Sequence, residues 1–70
     1  MADVIAPIAA TIKSILSKVG DGVEENTVVM LTEAMKVEYP VFAECQGTVS
    51  EIKVKVGDEV AVDQVLIIVE

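Results

Sequence analysis

Residues Val4–Glu33 read VIAPIAATIKSILSKVGDGVEENTVVMLTE, and residues Val41–Glu70 read VFAECQGTVSEIKVKVGDEVAVDQVLIIVE. Laid over one another at an offset of 37, with no gap, the two stretches are identical at eleven of thirty positions. The matches are Val4/Val41, Ala6/Ala43, Thr11/Thr48, Ile15/Ile52, Lys18/Lys55, Val19/Val56, Gly20/Gly57, Asp21/Asp58, Val23/Val60, Val28/Val65 and Glu33/Glu70. A valine-rich composition gives roughly three by chance. The chain is two copies of one supersecondary unit.

The unit reads as β. Valine, isoleucine and threonine dominate it, and they suit a pleated, half-buried surface. Residues 51–56, EIKVKV, alternate charge with Ile52, Val54 and Val56, the pattern of a strand with one wet face. VGDGV (19–23) and VGDEV (56–60) read as turns, where glycine takes a positive φ and aspartate caps the backbone. TVVMLTE and QVLIIVE are continuous apolar runs, expected for strands covered on both sides. Ile12 and Ile15 are three apart, as are Val49 and Ile52. Strand period is two, so the spacing predicts a bulge near Lys13–Ser14 and another near Ser50–Glu51.

Each half thus offers four short strands, near 4–6, 11–18, 22–25 and 27–33, then 41–43, 48–55, 59–62 and 64–70. One such half has an apolar face it cannot bury alone; two can bury their faces together. The expectation is one all-β domain over residues 1–70, a flattened β-barrel or sandwich with an approximate twofold axis.

Composition bounds the rest. Seventy residues bury only about 60% of their unfolded surface. A single cysteine, Cys45, allows no internal disulfide, and the lack of histidine excludes the common zinc sites. Twelve acidic against five basic residues give a net charge of −7, which repels nucleic-acid phosphate and anionic membranes. No apolar run is long enough to span a bilayer. Asp3 replaces the basic start of a signal peptide, and Pro7 and Lys13 interrupt the apolar run that follows. A cytoplasmic, monomeric domain is expected.

Residues 34–40, AMKVEYP, join the two copies and have no counterpart in the repeat. Twofold symmetry puts the termini together at one end and this connector at the other. The expectation is a hairpin whose tip carries Ala34, Met35 and Lys36. Hairpin tips draw Asn, Gly or Asp; methionine and lysine are unusual there. Lys18 and Lys55 are a symmetric pair, and Lys13 and Lys53 read as solvated strand-face residues that protect edges. Lys36 stands apart from all four.

EAMK at the seam of a twofold β repeat resembles the attachment site of biotin carboxyl carrier domains, whose usual motif is A-M-K-M. Their opening strand commonly reads AP-M-x-G, similar to APIAAT here, and their second half carries GTV and GD, here Gly47–Val49 and Gly57–Asp58. The likeness covers essentially the whole chain. It implies a barrel-sandwich of two four-stranded sheets, with biotin on Lys36 and Glu33, Ala34, Met35 and Val37 around it. Three features depart from the pattern. Val37 stands where methionine is usual. Ala10 stands where glycine is common, and a positive φ there would cost it about 1 kcal/mol. The insertion that some carriers have in the first half is missing.

An ordinary lysine amine is protonated at pH 7 and is a poor nucleophile. No histidine is present to act as a base. Acylation of Lys36 therefore needs another enzyme that supplies an activated acyl group. The resemblance names it as a biotin ligase. It also implies a biotin carboxylase that loads the cofactor and a carboxyltransferase or decarboxylase that unloads it. The chain itself would be a carrier and not an enzyme.

Two other readings stay open. Lipoyl domains share the fold and the seam lysine, but theirs usually sits in D-K-A, whereas Ala34-Met35 precede Lys36 here. An unmodified barrel-sandwich could also serve only for interaction. Cys45 aligns with Ile8 and reads as a small, partly buried hydrophobe. Tyr39 and Phe42 are expected to pack at the barrel end, and Pro40 suits an edge.

Overall fold

The computed structural model describes residues 2–70, and all the regular structure in them is β. In chain order the strands are β1 (Ala2–Ile5), β2 (Ala10–Ile15), β3 (Gly22–Val23), β4 (Val28–Ala34), β5 (Val37–Phe42), β6 (Gly47–Ile52), β7 (Glu59–Val60) and β8 (Val65–Val69). They form two antiparallel sheets, β1-β8-β6-β3 and β5-β4-β2-β7. The offset of 37 exchanges one sheet for the other, strand by strand. Each sheet takes two strands from each half, so neither half makes a sheet alone. This is why the duplicated unit is stable only as a pair.

The register keeps the symmetry. Ile12 pairs with Thr32 and Ser14 with Leu31, with a slip between them. Their mates Val49 and Glu51 pair with Val69 and Ile68, again with a slip. Lys13 and Ser50 are therefore the bulged residues, as the isoleucine and valine spacing predicts. Each bulge turns two nearby side chains of one strand onto the interior.

The interior is built from symmetry mates: Ile12 with Val49, Val29 with Leu66, Met30 with Ile67, Val4 with Val41, Ala6 with Ala43, and Val23 with Val60. Cys45 packs against this core from its edge. The turns match as well. Asp21 accepts a hydrogen bond from Lys18 N at 2.9 Å, and Asp58 accepts one from Lys55 N at 3.0 Å. Gly20 and Gly57 both have φ of 98°, which only glycine adopts without strain.

Four expectations need correction. β2 and β6 stop at Ile15 and Ile52, short of the predicted 18 and 55, because the chain leaves the ladder after each bulge. Val54 is still buried beyond the end of β6, but Val56 is 61% exposed, so the alternation in EIKVKV outlasts the strand. The runs in β4 and β8 are covered on one side only: Leu31 and Ile68 face out and stay half-buried. Two layers leave each outer face to solvent. Finally, Tyr39 and Phe42 remain 38% and 43% exposed and do not fill the barrel end.

Pro40 lies on β5, an edge strand of its sheet, where a missing N–H does no harm. Ala10 and Gly47 both lie outside the positive-φ region. The glycine requirement at this position comes from space. A Cβ on Gly47 would stand 2.5 Å from the Glu70 carbonyl oxygen and 2.7 Å from Val69 Cγ1.

Candidate functional site

β4 and β5 form the hairpin at the seam. Ala34 pairs with Val37, so the loop is the two residues Met35 and Lys36. It is tighter than the sequence suggests, because Ala34 ends one strand and Val37–Pro40 belong to the next. Met35 and Lys36 have φ of 53° and 65°. Positive φ at both positions is the type I′ form of the two-residue loop, which matches the strand twist and for which Asn-Gly is the usual choice. Here two side-chained residues take that conformation, at a cost of roughly 1–2 kcal/mol each. Backbone strain of this kind concentrates at functional sites.

The root of the hairpin is firm. Thr32 is buried, and its Oγ1 donates to the Tyr39 carbonyl oxygen at 3.0 Å across the ladder. The outer face carries a row of residues in register: Glu59 beside Thr11, Thr11 beside Glu33, and Glu33 beside Glu38. Glu33 and Glu38 are directly opposed like charges, which destabilises a ladder. Lys13, turned out by its bulge, reaches from β2 across β4 and donates to Glu38. The bond to Glu38, then its charge, and more weakly the charge of Glu33, hold the Lys13 ammonium above the ordinary lysine range.

The tip is open to solvent. Met35 is 95% exposed, Val37 is 50% exposed, and Lys36 is exposed. Ala34 and Glu33 are half-buried. Lys13 and Lys53 have carboxylate partners in Glu38 and Glu51; among the described residues Lys36 has none. The structure thus brings Ala34, Met35, Lys36 and Val37 together at the tip. It sets Glu33 one row below them on the outer face. Beside the tip lies a shallow depression of about 380 Å³, walled by Ala9, Ala10, Thr11, Glu33, Met35 and Glu59 among others.

The Lys13–Glu38 tie and the depression do not follow from the sequence read alone. Lys13 looks like an ordinary strand-face lysine until the bulge and the strand order β2-β4-β5 are known. Glu59 and Thr11 become neighbours of Glu33 only through the pairing of β7 with β2.

An exposed primary amine on a strained two-residue loop can be reached by a second protein and acylated. Comparison with known proteins gives the family. A family model described as "Biotin-requiring enzyme" matches residues 1–69. The biotin carboxyl carrier protein of Streptococcus mutans is 47% identical over 55 residues, covering 79% of this chain and 42% of that one. The mitochondrial methylcrotonoyl-CoA carboxylase subunit alpha of Oryza sativa is 42% identical over 67 residues, covering 96% of this chain and 9% of that one. The chain therefore spans less than half the length of either relative.

Among solved structures, the urea carboxylase of Kluyveromyces lactis superposes with a TM-score of 0.92 at 29% identity, over 99% of this chain and 6% of that one. The lipoyl domain of the 2-oxoglutarate dehydrogenase complex of Azotobacter vinelandii gives 0.80 at 26% identity, over 100% of this chain and 96% of that one. The fold is therefore the barrel-sandwich shared by biotinyl and lipoyl domains. The chain belongs to the biotin/lipoyl attachment family and is a biotinyl domain of the biotin carboxyl carrier kind.

Proposed function

We propose that Lys36 is the residue that takes biotin, in amide linkage, from a biotin ligase. The chain then acts as a carboxyl carrier between a biotin carboxylase and a carboxyltransferase or decarboxylase. The observation that carries this reading is the hairpin tip, where an exposed amine is held on a two-residue loop of left-handed backbone.

The residues present fit the group. Acylation removes the Lys36 charge without breaking an ion pair, since among the described residues the amine has no carboxylate partner. Met35, Val37 and Ala34 offer small or flexible side chains beside it, with no bulky wall to block a ligase. Biotin, when bound, supplies a ring nitrogen that accepts and gives up carboxylate. The chain's own residues only position it. The Thr32–Tyr39 bond and the Lys13–Glu38 pair fix the hairpin root. A tether from that root turns a bimolecular encounter into a local one, with an effective concentration in the millimolar range.

The carboxylase names of the rice relative and the yeast structure support a carboxylase setting. In this reading the acceptor substrate is bound by the carboxyltransferase or decarboxylase partner. The lipoyl reading shares the fold, but Met35 stands where lipoyl domains usually carry aspartate.

The test is isolation of the protein from its source, with intact mass and identification of co-purifying proteins. A biotinyl adduct together with carboxylase subunits is expected. A lipoyl adduct would move the chain to the lipoyl side of the family. An unmodified mass, with Lys36→Arg fully functional in the parent complex, would leave only an interaction domain.

A further inference from the structure

We propose that the depression beside the hairpin tip is a resting site for the uncharged bicyclic urea of a biotinyl arm on Lys36. This rests on the reading of Lys36 given above. Reach is no obstacle, because Met35, the neighbour of Lys36, forms one wall. Its apolar lining is Ala9, Ala10, Ala34, Val60 and the flexible Met35. The polar wall is Glu33, Thr11 and Glu59, three residues set side by side by strand register.

The chemistries are complementary. A cyclic urea has two N–H donors and one carbonyl acceptor. The carboxylates of Glu33 and Glu59 only accept, and the Thr11 hydroxyl can donate. Hydrogen bonds from N–H to an ionised carboxylate are among the stronger kinds. A tethered ring sees its own domain at an effective concentration of about 1 mM. An intrinsic Kd of that order is enough for about half occupancy, so a shallow site suffices.

The twofold axis provides an internal comparison. The mates of Ala9, Ala10 and Glu59 are Gln46, Gly47 and Gly22. Thr11 and Glu33 match Thr48 and Glu70. The shared residues maintain strand pairing in both halves. Ala9 in place of a glutamine and the second carboxylate, Glu59, occur only in the copy of this site that lies beside the hairpin, a copy built from both halves of the chain.

The charge has a consequence for the cycle. A ring carrying a carboxylate adds a negative charge next to Glu33 and Glu59, with Glu38 one strand away. Like charges repel at this distance, so the loaded arm leaves the site. The empty arm rests there and the loaded arm is free to reach a partner.

The test uses proton–nitrogen correlation spectra of the 70-residue chain in three forms: unmodified, biotinylated at Lys36 by a ligase, and acetylated at Lys36. Acetylation removes the charge without adding the ring. Amide shifts at Ala9, Thr11, Glu59 and Val60 are expected in the biotinylated form and not in the acetylated form. Glu59→Gln, an exposed change that leaves the unmodified spectrum dispersed, should reduce the shifts at Ala9 and Val60 at least twofold. Shifts confined to residues 34–38, or equal in the acetylated form, would overturn the proposal. Intact mass separates the two claims: a chain that takes no biotin at Lys36 refutes the carrier reading itself.

Discussion

Met35 and Lys36 turn the β4–β5 hairpin with φ of 53° and 65°, a conformation that glycine and asparagine adopt more cheaply. The loop therefore trades stability for a presented amine. Lys36→Gly should raise stability by about 1 kcal/mol while abolishing acylation. For a chain of this size that is a rise in Tm of roughly 4–8 °C. Met35→Asn should stabilise in the same direction and leave the amine in place. Thermal unfolding of the three proteins checks both. A fall in Tm for Lys36→Gly would show that the lysine is there for structure.

Gly47 is held by space and not by φ. Its Cβ position is blocked by the Glu70 carbonyl oxygen and Val69 Cγ1. Gly47→Ala must push β6 and β8 apart and should cost about 1–3 kcal/mol, the range of overpacking. Ala10→Gly, at the mate position, meets no clash; it adds chain freedom and removes one half-buried methyl, and should cost about 0.5–1 kcal/mol. Urea unfolding midpoints of the two variants should differ accordingly.

Asp21 and Asp58 do the same work in symmetric turns, each accepting a backbone N–H from the lysine three residues earlier. Asp21→Ala and Asp58→Ala should each destabilise by about 1–2 kcal/mol. The turns share no hydrogen bond with one another, so the double variant should show close to the sum. Equilibrium unfolding of the single and double variants tests this. Unequal single effects would mean that the twofold symmetry of the backbone does not extend to its energetics.

The Lys13–Glu38 pair makes a prediction in pH. A raised lysine pKa in the folded state adds stability that is fully present below the unfolded-state pKa. That stability is lost as pH rises through the folded-state value. Wild-type stability should therefore fall more steeply than that of Lys13→Gln above the ordinary lysine value of 10.5. Both groups are exposed, so the difference should be small and should shrink in high salt. Denaturant midpoints across the alkaline range at low and high salt report it.

Much of this architecture is written in the 37-residue offset. The repeat requires a paired unit, and the Ile12/Ile15 and Val49/Ile52 spacings betray the bulges because burial on one face admits no other period. The seam position of Lys36 follows from the same arithmetic. What the sequence hides is set by tertiary pairing. The first half of β5 has no repeat partner and is exposed, so its pattern gives no sign that Val37 already belongs to a strand. Lys13 reaches Glu38 over an intervening strand, a relation fixed by sheet order and a bulge. Tyr39 and Phe42 look like core residues by type, yet β5 lies at the sheet edge and leaves them half in solvent. Ala10 looks like a departure at a turn glycine, whereas the structure places it in a strand with ordinary φ.

The claim underlying all of this is that a duplicated β fold presents one lysine out of five for acylation. The most direct measurement is peptide mapping by mass spectrometry after incubation with a biotin ligase, ATP and biotin, on the wild type and on Lys36→Arg. The account predicts a single biotinyl group, located on Lys36, and none on the variant. Biotin on Lys13, Lys18, Lys53 or Lys55, or undiminished labelling of Lys36→Arg, would contradict it.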